Sequence, residues 1–231
     1  MPTLFTLPAA ARRGFDRMAA DCRRVFEDRF VALVASGPDS GVVFAHGIGP
    51  GDLEALGALT DTWHHDGLGT PLLLTPEEFR RSLDAFPIEY QAIIDRHVLI
   101  AGTAPFQDIE VDRQHLRRAC EVQAKSHLLH LRQGWMEATG HDDRLATLIA
   151  QSATPLHALL SNVARLQGAN TDDSKHAALA GARCAGLDED LVRQILLLES
   201  APDHARHLVR RLHEYLQASE RLWAFVDGWT T

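Results

Sequence analysis

The chain has 231 residues and a mass of 25.5 kDa, with 45% hydrophobic and 23% charged residues. Such a chain buries a core without staples, which excludes wholesale disorder, a collagen-like repeat and a disulfide-dense mini-scaffold. The formal charge of −8 argues against general attraction to a nucleic-acid backbone.

Residues 8–28 predict a first helix. Proline costs nothing in a first helical turn, where its missing N–H has no partner anyway. Phe15, Met18, Cys22, Val25 and Phe26 follow at helical spacing. Five arginines interleave with Asp16, Asp21, Glu27 and Asp28, the mark of an exposed face. Residues 30–35 (FVALVA) and 42–45 read as two strands. The turn-rich stretch Ser36-Gly37-Pro38-Asp39-Ser40-Gly41 joins them. A helix is expected over residues 52–65, with Leu53, Leu56, Leu59 and Trp63 on one face, then a buried strand over 71–74. Thr75-Pro76-Glu77-Glu78 is a helix start: Thr75 can cap, Pro76 takes the first helical position and Glu78 closes a capping box. That helix is expected to end near Phe86-Pro87. Residues 88–94 alternate loosely and read as another strand, and 97–101 as a further short apolar segment.

After Asp112 the period changes. Leu116, Cys120, Ala124, Leu128, Leu131 and Trp135 recur every three or four residues and predict one long amphipathic helix, stopped by Gly140. A second long helix is expected over 142–167, kinked at Pro155. A turn at 170–173 precedes helices over 174–184 and 188–198, the latter capped by Asp188. Pro202 opens a last helix reaching Trp229. The predicted organisation is α+β: a small mixed-sheet α/β domain over 1–110, then an all-α helical bundle over 111–231.

Only Lys125 and Lys175 are lysines among the 23 basic residues, so Schiff-base chemistry and a phosphate-loop lysine have few candidates. Cys22, Cys120 and Cys184 form no C-x-x-C pair and read as small buried hydrophobes in a reducing compartment. The longest uncharged run, 145–164, contains Gln151, His157 and Asn162 and is too polar for a bilayer core. A cytoplasmic protein with no membrane partner is expected. The thirteen histidines include the pairs His127/His130 and His204/His207, three apart. They lack the Glu-x-x-His context of a di-metal bundle and read as surface or interhelical hydrogen-bonding groups. The glycines of His46-Gly47-Ile48-Gly49-Pro50-Gly51-Asp52 offer a phosphate approach to a helix N-terminus, but Asp52 stands where the phosphate would sit, so a capped strand-to-helix turn is the expectation. Arg118, Lys125 and Arg132 line one stripe of the long helix, a surface for a polyphosphate or an RNA backbone unless neighbouring acids pair with it.

The phrases LLLTPEEFRRSLDAFPIEYQAI, HVLIAGTAPF and RRACEVQAKSHLLHLRQGW, between Leu72 and Trp135, resemble a bacterial family of small nucleotidyltransferase-like proteins. The resemblance implies a nucleotidyltransferase-fold α/β domain followed by a helical bundle. It also implies a Gly-Ser pair opening a phosphate-holding helix, a D-x-D pair on the next strand for Mg²⁺, and a third carboxylate on a later strand. Two metal ions would then neutralise charge as a hydroxyl attacks the α-phosphorus. The chain departs from that pattern. Six residues separate the first two strands, too few for a helix, and Ser36-Gly37 reverses the family's order. Asp39 is the best match to the first carboxylate, its i+2 partner is Gly41, and Glu89 falls where the third would sit. The candidate metal ligands are thus Asp39 and Glu89, and the candidate nucleotide-binding residues Ser36, Gly37, Lys125 and Arg132. The resemblance, read with these losses, implies a pseudoenzyme serving as a binding or regulatory module. No cofactor is expected beyond Mg²⁺ accompanying any surviving nucleotide binding. The alternatives are an active Mg²⁺-dependent nucleotidyltransferase and an interaction protein whose helical half pairs with a second copy or another protein; nucleic acid is not an expected partner.

Overall fold

The computed structural model describes residues 6–169 and 174–229. The fold is mixed α+β, 67% helical, with one four-stranded mixed sheet. The chain divides into two compact units, Met1–Val111 and Asp112–Thr231.

The first unit opens with helix α1 (Ala9–Phe26), whose buried face carries Phe15, Met18, Ala19, Cys22 and Phe26. Glu27 takes φ 52° and stops the helix, and a single 3₁₀ turn leads into strand β1 (Phe30–Ala35). Strand β2 (Gly41–Ala45) pairs antiparallel with β1, β3 (Leu72–Leu74) parallel with β2, and β4 (Val98–Gly102) antiparallel with β1. The sheet order is β3-β2-β1-β4. The two central strands are buried on both faces, which is why they are nearly unbroken apolar runs. Leu33, Ala35, Val43 and Ala45 pack with α1 and Trp63 on one face. On the other, Ala32, Val34, Val42 and Phe44 pack with Phe79, Tyr90 and Phe106. Gly102 (φ 79°) lies so near β1 that a Cβ there would stand 2.0 Å from the Val31 carbonyl oxygen.

Three predicted elements are corrected in this unit. Residues 52–65 form two helices, α2 (Pro50–Gly57) and α3 (Thr60–His65), rather than one. Glycine is a weak helix residue, and the Thr60 hydroxyl bonds back to the Gly57 carbonyl at 2.9 Å. The break turns Leu53 outward, 51% exposed, while Leu56 and Trp63 stay buried. Helix α4 (Pro76–Arg81) has the reciprocal capping box, Glu78 N–H to Thr75 Oγ1 at 3.0 Å and Thr75 N–H to Glu78 Oε2 at 2.8 Å. It ends at Arg81, short of Phe86. The stretch expected as a strand is helix α5 (Pro87–Asp95). Pro87 sits at its first position, and Ile88 and Gln91 turn inward three residues apart.

The second unit begins with α6 (Arg113–Ala138), capped by the Asp112 carboxylate, which accepts from Gln114 N–H at 2.8 Å and His115 N–H at 3.1 Å. Gly140 at φ 83° ends that segment, and α7 (Asp142–Leu166) follows with Pro155 inside it. The expected turn at 170–173 lies outside the described residues. Helix α8 (Ser174–Cys184) precedes α9 (Glu189–Leu197), which Asp188 caps through Asp190 N–H and Leu191 N–H. The last predicted helix is broken: a 3₁₀ turn, α10 (Ala205–Leu208), another 3₁₀ turn, and then α11 (Leu212–Asp227). Ala205, Leu208 and Leu212 keep a buried period of three and four through the break. Apolar spacing alone does not distinguish the tighter turn from the α-helix.

Candidate functional site

The residues marked out for chemistry in the first unit begin with the β1–β2 connection. The backbone N–H groups of Ser36 and Gly37 both donate to the Ser40 carbonyl, at 2.9 and 3.1 Å, and the Ser36 hydroxyl reaches the same oxygen at 3.3 Å. The donors that a phosphate would need are thus spent within the turn. No helix intervenes; β1 and β2 form an antiparallel hairpin. Asp39 is exposed on this turn, and its carbonyl accepts from Gly69 N–H at 2.7 Å. Glu89 is not on a strand, as expected for a third carboxylate, but exposed in the first turn of α5. Its negative charge there suits the helix N-terminus. Among the described residues, no group of three or more His, Cys, Asp or Glu side chains is placed to hold a metal ion.

The glycine-rich turn before α2 is occupied by its own side chains. Asp52 reaches back from the third helical position and accepts from Gly49 N–H at 2.8 Å. Arg29 grips the same carboxylate with two parallel bonds, at 2.9 and 2.8 Å, and also donates to the Gly47 carbonyl at 3.2 Å. The guanidinium bond, with the Gly49 amide behind it, lowers the Asp52 pKa from 3.8 to about 2. A permanent anion therefore already fills the position an incoming phosphate would take.

Two of the three residues of the basic stripe of α6 are engaged within the second unit. Lys125 places its Nζ atom 3.4 Å from the centroid of the Trp223 ring, and Arg132 donates to Glu220 at 2.6 Å. Both partners lie on α11, so these two predicted nucleotide ligands join one helix to another. The cysteines divide. Burial pushes the Cys22 and Cys120 thiols up to about 12, whereas Cys184 is exposed, contrary to the expectation that all three are buried.

The polar centre that sequence reading did not find is in the core of the second unit. His127 Nε2 lies 2.9 Å from the Tyr215 hydroxyl, and that hydroxyl lies 2.8 Å from Ser152 Oγ. Ser152 donates its only proton to the Ile149 carbonyl at 2.7 Å. Donor counting then fixes the chain: Tyr215 donates to Ser152, and His127 donates to Tyr215 from Nε2. Burial, and next the charge of His130, lower the His127 pKa from 6.5 to about 4, and burial raises that of Tyr215. His130 instead faces Ser126 at the surface, at 3.2 Å. The available signal for His127 was its position between Ala124 and Leu128, one residue off the apolar stripe. A second buried histidine, His157, meets the Glu199 carboxylate at 2.9 and 3.0 Å. Compared with family models, curated proteins and solved structures, the chain has no match in any of the three.

Proposed function

We propose that this chain is a nucleotidyltransferase-like protein that has lost catalysis and serves as a binding or regulatory module. The single observation that carries the reading is the β1–β2 hairpin, which closes on the Ser40 carbonyl and leaves Asp39 alone on its turn. Two-metal phosphoryl transfer needs carboxylates converging on a common ion and a cradle for the departing pyrophosphate. Here the cradle donors are satisfied internally, and Glu89 belongs to a helix terminus. The Arg29–Asp52 clasp supports the same conclusion, because it closes the other glycine-rich turn to phosphate.

The test is pyrophosphate release by the full chain with Mg²⁺ and each of the four ribonucleoside triphosphates. The expected result is no turnover above the protein-free blank, in the native chain and in Asp39→Ala alike. Sustained release that disappears in Asp39→Ala would establish an active nucleotidyltransferase instead. A second reading, pairing of the helical half with a second copy, is favoured by one feature of α6. Val122, Leu129 and Met136 are spaced by sevens and are 64%, 50% and 74% exposed.

A further inference from the structure

The N-terminal turns of α6 meet the C-terminal ends of two other helices. Arg113 donates through Nη2 to the Leu166 carbonyl, at the last residue of α7, and Arg117 through Nη2 to the Trp229 carbonyl, just beyond α11. Helix C-termini present unpaired carbonyls and partial negative charge, so cations are stabilised there. A guanidinium carries five N–H donors, however, and these two carbonyls use one from each arginine. Arg117 Nε and Trp229 Nε1 are buried and have no hydrogen-bond partner among the described residues. Buried donors of this kind are rare in folded proteins and call for an acceptor.

Both residues line one cleft of about 490 Å³, together with Arg113, Gln114 and Gln167. That volume falls within the ordinary range for small-molecule sites. No carboxylate is among the described residues that line it. The cleft therefore holds two guanidinium groups, two side-chain amides and two unspent N–H donors, while the Leu166 and Trp229 carbonyls are already taken by the arginines. We propose that it is a binding site for a small phosphate-bearing molecule. The phosphate accepts from the arginines, in the forked geometry that suits guanidinium. The organic part lies along the Trp229 ring. A small swing of Arg117 or Trp229 toward the cleft presents the unspent N–H to a phosphate oxygen. The site belongs wholly to the second unit and does not depend on Asp39 or on the nucleotidyltransferase reading.

Isothermal titration of the full chain at low salt tests it, with phenyl phosphate as the probe and orthophosphate as the competitor. One saturable site is expected, from which orthophosphate displaces the probe. Arg117→Met should weaken binding at least about tenfold, the loss of a charge-assisted hydrogen bond. Because Arg117 also supports the end of α11, Trp229→Phe provides the second variant. It keeps an aromatic ring, deletes the N–H, and should weaken binding severalfold with an unchanged melting temperature. Absence of saturable heat, failure of orthophosphate to compete, or native affinity in Trp229→Phe or in a folded Arg117→Met would overturn the proposal.

Discussion

His127 is held neutral by its burial and, next, by the charge of His130. Its Nε2 proton goes to Tyr215, the Tyr215 proton to Ser152, and the Ser152 proton to the Ile149 carbonyl. A second proton on the ring would place a charge among Leu128, Leu131 and Tyr215, all buried. The folded-state pKa of about 4 lies below the ordinary 6.5, so the unfolded chain takes up the proton first as pH falls. The stabilisation is complete above about pH 6.5 and is lost as pH drops toward 4. Between pH 7 and pH 4.5 the loss amounts to about 2–3 kcal/mol. His127→Gln retains an amide donor for Tyr215 but does not titrate. Urea unfolding at the two pH values should therefore show the native chain losing about 2–3 kcal/mol more than the variant. An equal loss in both would mean that His127 carries no such burden.

Helix α8 approaches α7 at Gly181, where a Cβ would stand 2.0 Å from the Leu160 carbonyl oxygen and 2.8 Å from its carbon. Both atoms are backbone, so relief requires one helix to move. Gly134 in α6 differs: its Cβ would meet the end of the Leu148 side chain at 2.5 Å, and that chain can rotate. Gly181→Ala should cost about 2–3 kcal/mol or more. Gly134→Ala should stay within about 1 kcal/mol, because helix propensity offsets the rearrangement. Thermal melts of the two variants check the contrast; equal shifts would refute it. No sequence pattern distinguishes these glycines, since the distinction lies in what the other helix brings to each. The Thr75–Glu78 box was legible for the opposite reason, its chemistry being complete within four residues. The FVALVA run was legible as a strand because both faces of β1 are buried. Residues 88–94 misled because an apolar segment this short fits either period, and Pro87, the informative residue, precedes it. At the candidate site the tight β1–β2 link was readable from the short stretch 36–41 between two apolar runs, of which Gly41 already opens β2. The spending of the Ser36 and Gly37 amides on Ser40, the Arg29–Asp52 clasp, and the burial of His127 depend on partners elsewhere in the fold.

The two units each have their own interior, a sheet covered on both faces in one and packed helices in the other. No described helix is long and apolar enough to cross a membrane. At this scale the exposed row Val122, Leu129 and Met136 on α6 bears on assembly. A period of seven keeps residues along one line of a helix, the seam geometry by which two helices pair. A second copy presents the same row, so a two-fold contact is self-complementary. Helix α6 spans 26 residues, about 39 Å at 1.5 Å per residue, and three apolar side chains over that length make a small interface, hence a weak one. Lys125 and Arg132, three or four residues from the row, are engaged with Trp223 and Glu220 of α11, so the contact rests on the apolar side chains. Dimerisation should accordingly persist in high salt, unlike an ion-pair interface. Light scattering across protein concentration should move from 25.5 kDa toward twice that mass, in low and in high salt alike. Met136→Glu, on an exposed position, should hold the chain at the monomer mass without lowering its melting temperature. A constant monomer mass at every concentration and salt would sink the pairing, and dimerisation unaffected by Met136→Glu would place the contact elsewhere.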